Sequence, residues 1–383
     1  MKKLCSLILL LILIIVFPPP IFAEESAAED PAEIAADEIG IDVSQIQGDL
    51  PDSAYDMLDD NGITPTSTDS MTQLNPLDIF GYIWETLTSK ITYPLRVFAS
   101  ILAVILLSAL VEGLQDTISD PKLTRIYGII CVMVAVSIIS APLSETIQSA
   151  AASLSEGGLF MASYIPVFAG ITASSGHITS AASYSLVVVF ASDAAVIIAS
   201  NYMVPILSIC MALGIIEAIN PNFSLSGITS AIQKITQIVI AFTMVIFLGL
   251  LSTQSIIGAS ADTLGVKAAK FAASNFIPVV GSAVADAYTT VKASLGLLRG
   301  GVGFFGIAAI FAMVVPPLLE VGMMRLAFSA AELVSDMFGA DAIKVLLKNC
   351  VKILSLIFSL LVCFSIMLTI STAIVMLVGL SGG

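Results

Sequence analysis

Charge is what this sequence has least of. Only 11% of its 383 residues are Asp, Glu, Lys or Arg, where soluble domains carry about a quarter. A single histidine, His177, removes most catalytic triads and any Cys-His metal cluster. The five cysteines form no CxxC. Cys5 lies in the first apolar run, and Cys131, Cys210, Cys350 and Cys363 stand singly in apolar stretches, the pattern of small buried side chains. There is no GxxxxGK loop followed by Ser or Thr, no HExxH and no GxSxG. A Ser–Lys pair is the catalytic arrangement left open, and no lysine sits in mid-span beside an obvious serine. The sequence predicts no enzyme, no cofactor and no metal.

What is there is apolar. Hydrophobic residues make up 57% of the chain and mean hydropathy is +1.01. No water-soluble fold covers that much apolar surface, so the expected class is an all-α, polytopic helical membrane protein. The net charge of −14 is local. Residues 24–78 hold fifteen acids and no Lys or Arg, whereas from Glu85 onward 14 acids face 13 bases. That distribution argues against nucleic acid as a partner.

The chain opens as a leader: Lys2 and Lys3, an apolar stretch from Leu4 to Phe17, then "PPPIFA" before "EES". Residues 1–23 are expected to be a signal peptide, with an uncleaved anchor as the alternative; either one translocates the acidic residues after it. Residues 24–75 form an acidic extracytoplasmic segment in which "PDSAYDMLDDNGITP" carries an Asn-Gly turn signal and a short helix suited to docking. Residues 76–94 place Ile79, Phe80, Ile83, Trp84 and Leu87 at helical spacing, with Tyr82, Trp84 and Tyr93 as belt aromatics. This pattern predicts an interfacial helix. Residues 95–383 are a multi-helix membrane domain with apolar runs near 95–113, 126–142, 184–216, 235–257, 301–319 and 351–379, the last a final helix. The runs at 184–216 and 351–379 are longer than a span needs, so tilt or a break is expected, and Pro205 lies inside the first.

A phrase occurs twice: "ASYIPVFAG" at 162–170 and "ASNFIPVVG" at 273–281. Other similarities keep nearly the same offset of 112: "LTRI" at 123–126 with "ITQI" at 235–238, Ser140 with Ser252, "VPIL" at 204–207 with "VPPL" at 315–318, and Gly227 with Gly339. These predict an internal duplication with units 123–234 and 235–345. Its Pro-broken segments make Pro166, Gly170, Pro278 and Gly281 the candidates for a helix break or a transport pathway. The freed carbonyl before each proline should find protein or a water-filled cavity, so both prolines are expected to face the bundle interior or a pore; simple packing kinks are the alternative. If each Ile-Pro-Val segment dips in and returns, a unit crosses twice, and if it crosses, three times. With residues 143–158 as an outside loop, crossing places eight Lys and Arg inside against three outside, and dipping seven against four. The charges favour crossing.

Asp193 stands in "SYSLVVVFASDAAVIIASNYMVP". A carboxylate at mid-span reads as an ion or proton relay or a pore-lining group, or as an acid protonated or paired on a neighbouring helix. "GGVGFFG" at 300–306 matches GxGxxG but opens a hydrophobic span, and Gly296 and Gly300 fit helix packing better. Lys344, Lys348 and Lys352 share one helix face and are candidates for a cytoplasmic surface that meets anionic lipid or a partner, or for a topological anchor.

The stretches "SYIPVFAGITASSGHITSAASYS" and "FIPVVGSAVADAYTTVKASLGLLRGG", behind a leader and an acidic segment, resemble stage III sporulation protein AE of endospore-forming bacteria. The resemblance covers nearly the whole chain and is weakest in residues 24–75. It implies a membrane component of a mother-cell complex in the membrane around the forespore, needed for late forespore gene expression. Implied partners are the other stage III sporulation A-operon proteins, including a cytoplasmic ATPase and ring-forming subunits, with residues 24–94 extracytoplasmic. A secondary permease for a small solute, with Asp193 coupling, and a structural platform for ring assembly are the competing readings.

Overall fold

The computed structural model describes residues 44–66, 76–113, 121–219, 225–276 and 281–378. Among these the order is α1 (Ser44–Gly48), α2 (Asp52–Asp60), α3 (Pro76–Lys90), α4 (Thr92–Gly113), α5 (Pro121–Ser174), α6 (Ile178–Ile197), a π-helical segment (Ile198–Met203), α7 (Val204–Ile219), α8 (Ser226–Phe276), α9 (Gly281–Met337) and α10 (Asp341–Val378). No strand occurs among the described residues. Six of the helical stretches are long and apolar enough to cross a membrane, the make-up of a multi-pass membrane protein. Helices α5, α8 and α9 run for 54, 51 and 57 residues. At about 1.5 Å per residue each is roughly 75–85 Å long, more than twice a bilayer core of about 30 Å.

The length of α5 corrects one expectation. Residues 143–158 are helix, not loop, so the run at 126–142 and the first Ile-Pro-Val phrase are one rod. Leu143, Ile147, Ala150 and Leu154 are buried at i, i+4, i+7 and i+11, a helical stripe that the Ser and Glu residues between them disguise. The phrase is therefore neither a separate dip nor a separate crossing, and this stretch supplies two long helices, α5 and the α6–α7 return. The balance of charges differed between the alternatives by one residue and did not capture helix continuity.

Two hairpin turns are closed alike. His177 N–H bonds the Thr172 carbonyl and Gly176 N–H that of Ala173; Ala340 and Gly339 repeat the pattern on Ser335 and Asp336. Gly176 and Gly339 take φ of +92° and +76°, open to glycine without strain.

Residues 76–94 do not form a separate surface helix. α3 runs lengthwise along α9: the Tyr82 hydroxyl donates to the Ala312 carbonyl at 3.1 Å, and two turns on Lys90 pairs with Glu320 at 3.0 Å. The first contact has a cause. Pro316 has no N–H, which frees the carbonyl four residues earlier, that of Ala312, and Tyr82 supplies the missing donor. Trp84 and Phe80 stay exposed on the other side of α3. Just before Pro205 the helix widens, without ending, into the π segment Ile198–Met203.

The acidic segment docks on its own chain. Ile46, Ala54, Met57, Leu58 and Ile63 are buried, α1 packs on α5 and α2 on α9, and the Ser163 hydroxyl donates to Asp49.

Tyr82→Phe should lower stability by about 1–3 kcal/mol, because the Ala312 carbonyl is left without a donor. Thermal unfolding of the detergent-solubilised protein, compared with Phe80→Leu on the exposed face, measures it.

Candidate functional site

The centre of the bundle is an aromatic ladder. Phe160, Tyr164 and Phe168, four apart on α5, stack at centroid distances of 5.5 and 5.3 Å, and Phe168 meets Tyr184 of α6 edge-on at 5.5 Å. All four rings are buried. They are seated by glycine on α9. A Cβ on Gly306 would fall within the Tyr164 ring, and one on Gly303 would stand 3.4 Å from both Phe168 and Met376. Tyr164 then donates to the Val302 carbonyl at 3.2 Å. So "GGVGFFG" is a packing surface, as expected, but Gly303 and Gly306 make the close contact. Gly296 has open space around it.

This ladder decides where Pro166 lies. With Tyr164, Ile165 and Phe168 turned inward, Pro166 falls on the opposite side of α5 and is exposed, inside an unbroken helix. Gly170, half-buried, is one turn further on. The expectation that this proline faces the bundle interior is overturned by helical phase: residues 164 and 168 occupy that face, and 166 lies about 200° round from 164. Pro278 lies outside the described residues; Gly281 begins α9.

One end of the bundle buries polar groups. Asp262 of α8 accepts the Thr179 and Ser180 backbone N–H groups at 2.8 and 2.9 Å, closing the first turn of α6. His177 Nδ1 stands 3.9 Å from the same carboxylate. Gly258, one turn before Asp262, makes the approach possible: a Cβ there would be 3.0 Å from Ser180 Cα. A carboxylate at a helix N-terminus meets two orphan donors and the positive end of the dipole together. Arg299 is buried at this same end, since Gly303, one turn away, packs on Phe168 and Met376. Its Nη2 reaches the Met376 carbonyl at 3.5 Å, while Nε and Nη1 have no hydrogen-bond partner among the described residues. Neither Asp262 nor Arg299 stood out in the sequence. The signal for Asp262 was a Gly–Asp pair at i, i+4 where an apolar run ends.

Asp193 is on the other side of its helix. Val188, Ala191, Ser192 and Ala195 take the inward face of α6, and Asp193 is exposed between exposed Phe190 and Ile197. Within this chain it neither lines the interior nor pairs with a neighbouring helix. The lysine row is partly used inside the chain: Lys344 pairs with Asp336, Lys352 donates to Ser230 at 3.0 Å, and Lys348 is exposed. No group of three His, Cys, Asp or Glu side chains suited to a metal occurs among the described residues.

These features define a polytopic helical membrane bundle with a packed aromatic centre and a buried polar end. The family model described as Stage III sporulation protein AE matches residues 64–379, and the chain belongs to that family. Stage III sporulation protein AE of Bacillus subtilis (strain 168) is 23% identical over 284 residues, covering 74% of this chain and 71% of that protein. No solved structure matches.

Gly306→Ala should cost about 1–3 kcal/mol by overpacking the Tyr164 ring, whereas Gly296→Ala should be neutral or gain up to about 1 kcal/mol in helix propensity. Parallel melting curves compare the two. Asp262→Ala should raise hydrogen exchange at the Thr179 and Ser180 amides by about tenfold or more, and Asp262→Asn, which keeps one acceptor, by less. Exchange mass spectrometry of the first turn of α6 reads both.

Proposed function

Membership of the family ties the chain to sporulation. We propose that it is a non-enzymatic membrane subunit of the mother-cell-to-forespore transport complex on which late forespore gene expression depends. It resides in the mother-cell-derived membrane around the forespore, with residues 24–94 extracytoplasmic. Its partners are the other proteins of the same operon, including a cytoplasmic ATPase and ring-forming subunits. The observation that carries this reading over a self-contained permease is the filled centre of the bundle. Where a permease would hold its solute between repeats, Tyr164 and Phe168 are packed onto Val302–Gly306, with Phe160 stacked on Tyr164. Asp193 is on the outer surface instead. The Ile-Pro-Val repetition is then a duplication that supplies helix surface to an assembly, each unit providing a long helix and its return.

In the host, deletion of the gene should leave engulfment intact and abolish a late forespore-specific reporter. The tagged protein should co-purify with the ATPase and ring subunits from sporulating cells. Solute uptake by the purified chain alone in liposomes, with no partners recovered, would reverse the assignment in favour of a permease.

A further inference from the structure

Most polar groups on the membrane-spanning helices are answered from within: hydroxyls return to carbonyls one turn back, Tyr82 to Ala312, Asn349 to Cys210. Asp193 is different. It has no hydrogen bond or ion pair among the described residues, and it is exposed on a face with Leu186 and Phe190, which are 74% and 72% exposed. It lies fifteen residues beyond the start of α6 at Ile178, about 22 Å along the axis. Asn201 and Tyr202 are exposed further along, in the π segment. A membrane helix with a carboxylate, an amide and a phenol on its outward side has a surface unsuited to lipid.

We propose that this face of α6 is the seat of a transmembrane helix from a different protein, one that brings a Lys or Arg to the depth of Asp193. The inference rests on the complex-subunit reading. Charge complementarity specifies the occupant, and depth excludes a second copy of this chain alongside. Val196 packs on Gly158 and Phe364 on Gly157, which sets the level of Asp193. Gly303 against Met376 and Gly322 against Phe358 put that level near residues 313–316 of α9. The exposed Arg325 is more than two turns away, and Arg96 is three residues on from Tyr93, whose contact with Glu145 lies twelve residues along α5 from Gly157. Lys234 is one turn from Ser230, at the far end with Lys352, Arg299 is buried, and Lys90 pairs with Glu320, more than one turn beyond residues 313–316. Among the described residues, a parallel neighbour of the same sequence therefore presents no cation at this level.

The test uses the full chain, donor-labelled at its C-terminus, in phosphatidylcholine vesicles with acceptor-labelled synthetic Leu/Ala helices of about 22 residues. One helix carries Lys at its centre and the other Leu. Energy transfer to the Lys helix should reach half-saturation at about a tenfold lower peptide-to-lipid ratio than to the Leu helix. That preference should vanish in Asp193→Leu and survive in Asp193→Glu, with the melting temperature of both variants unchanged because the carboxylate touches nothing in its own bundle. Equal transfer to both helices, or a preference that persists in Asp193→Leu, overturns the proposal. So does transfer between labelled copies of the chain that Asp193→Leu abolishes. In cells, an Asp193→Leu strain with normal late forespore expression removes the docking inference and leaves the subunit reading standing, whereas that reading falls only with the deletion phenotype.

Discussion

The seating of an aromatic ladder on a glycine track is the contact on which this bundle turns. In hydrocarbon there is no hydrophobic reward for bringing one apolar helix to another, so cohesion comes from dispersion over close, well-fitted surfaces. Gly303 and Gly306 let the α9 backbone approach the rings of Tyr164 and Phe168, and the Tyr164 hydroxyl finds the Val302 carbonyl in the same contact. Edge-on packing of Phe168 against Tyr184 extends the fit to α6. The orientation of α5 is set by this contact. With one face committed to the ladder, Pro166 and Ala162 fall outside, where the acidic segment reaches Ser163.

Around this apolar centre the polar groups are placed by need. A proline at 316 leaves a carbonyl at 312, and Tyr82, from a helix 230 residues earlier, fills it. The first turn of α6 has amides without partners, and Asp262 takes two of them across a close approach at Gly258. Asn349 reaches the Cys210 carbonyl at 2.7 Å beside Gly214, which has no side chain in the way. Each case pairs a small residue or a missing donor on one helix with a polar side chain on another. The same logic makes Asp193 conspicuous, since it has no such partner among the described residues.

The outer faces of the helices differ in character. Helix α8 presents much of its length outward, with Ile235, Phe242, Val245, Ile256 and Leu264 all more than half exposed. These are ordinary lipid-facing residues. Asp193 on α6, exposed among Leu186, Phe190 and Ile197, is not.

Composition and apolar runs alone determined that this is an all-helical membrane protein and roughly where its helices lie, and the stretches at 163–185 and 276–301 carried the family resemblance. These are local properties, written in stretches of about 20 residues whose hydropathy must match a bilayer. The short helix near residue 55 and the Asn-Gly turn were legible for the same reason. Helix continuity through 143–158 was legible only in the phase of Leu143, Ile147, Ala150 and Leu154, which the polar residues between them obscure. Helix phase between chain-distant segments decided the rest: that Pro166 and Asp193 face outward, that α3 lies along α9, and that Asp262 caps a helix 83 residues away. A side chain's partner is fixed by which sector of a helix, about 100° wide, meets which neighbour, and that is known only when the helices are packed.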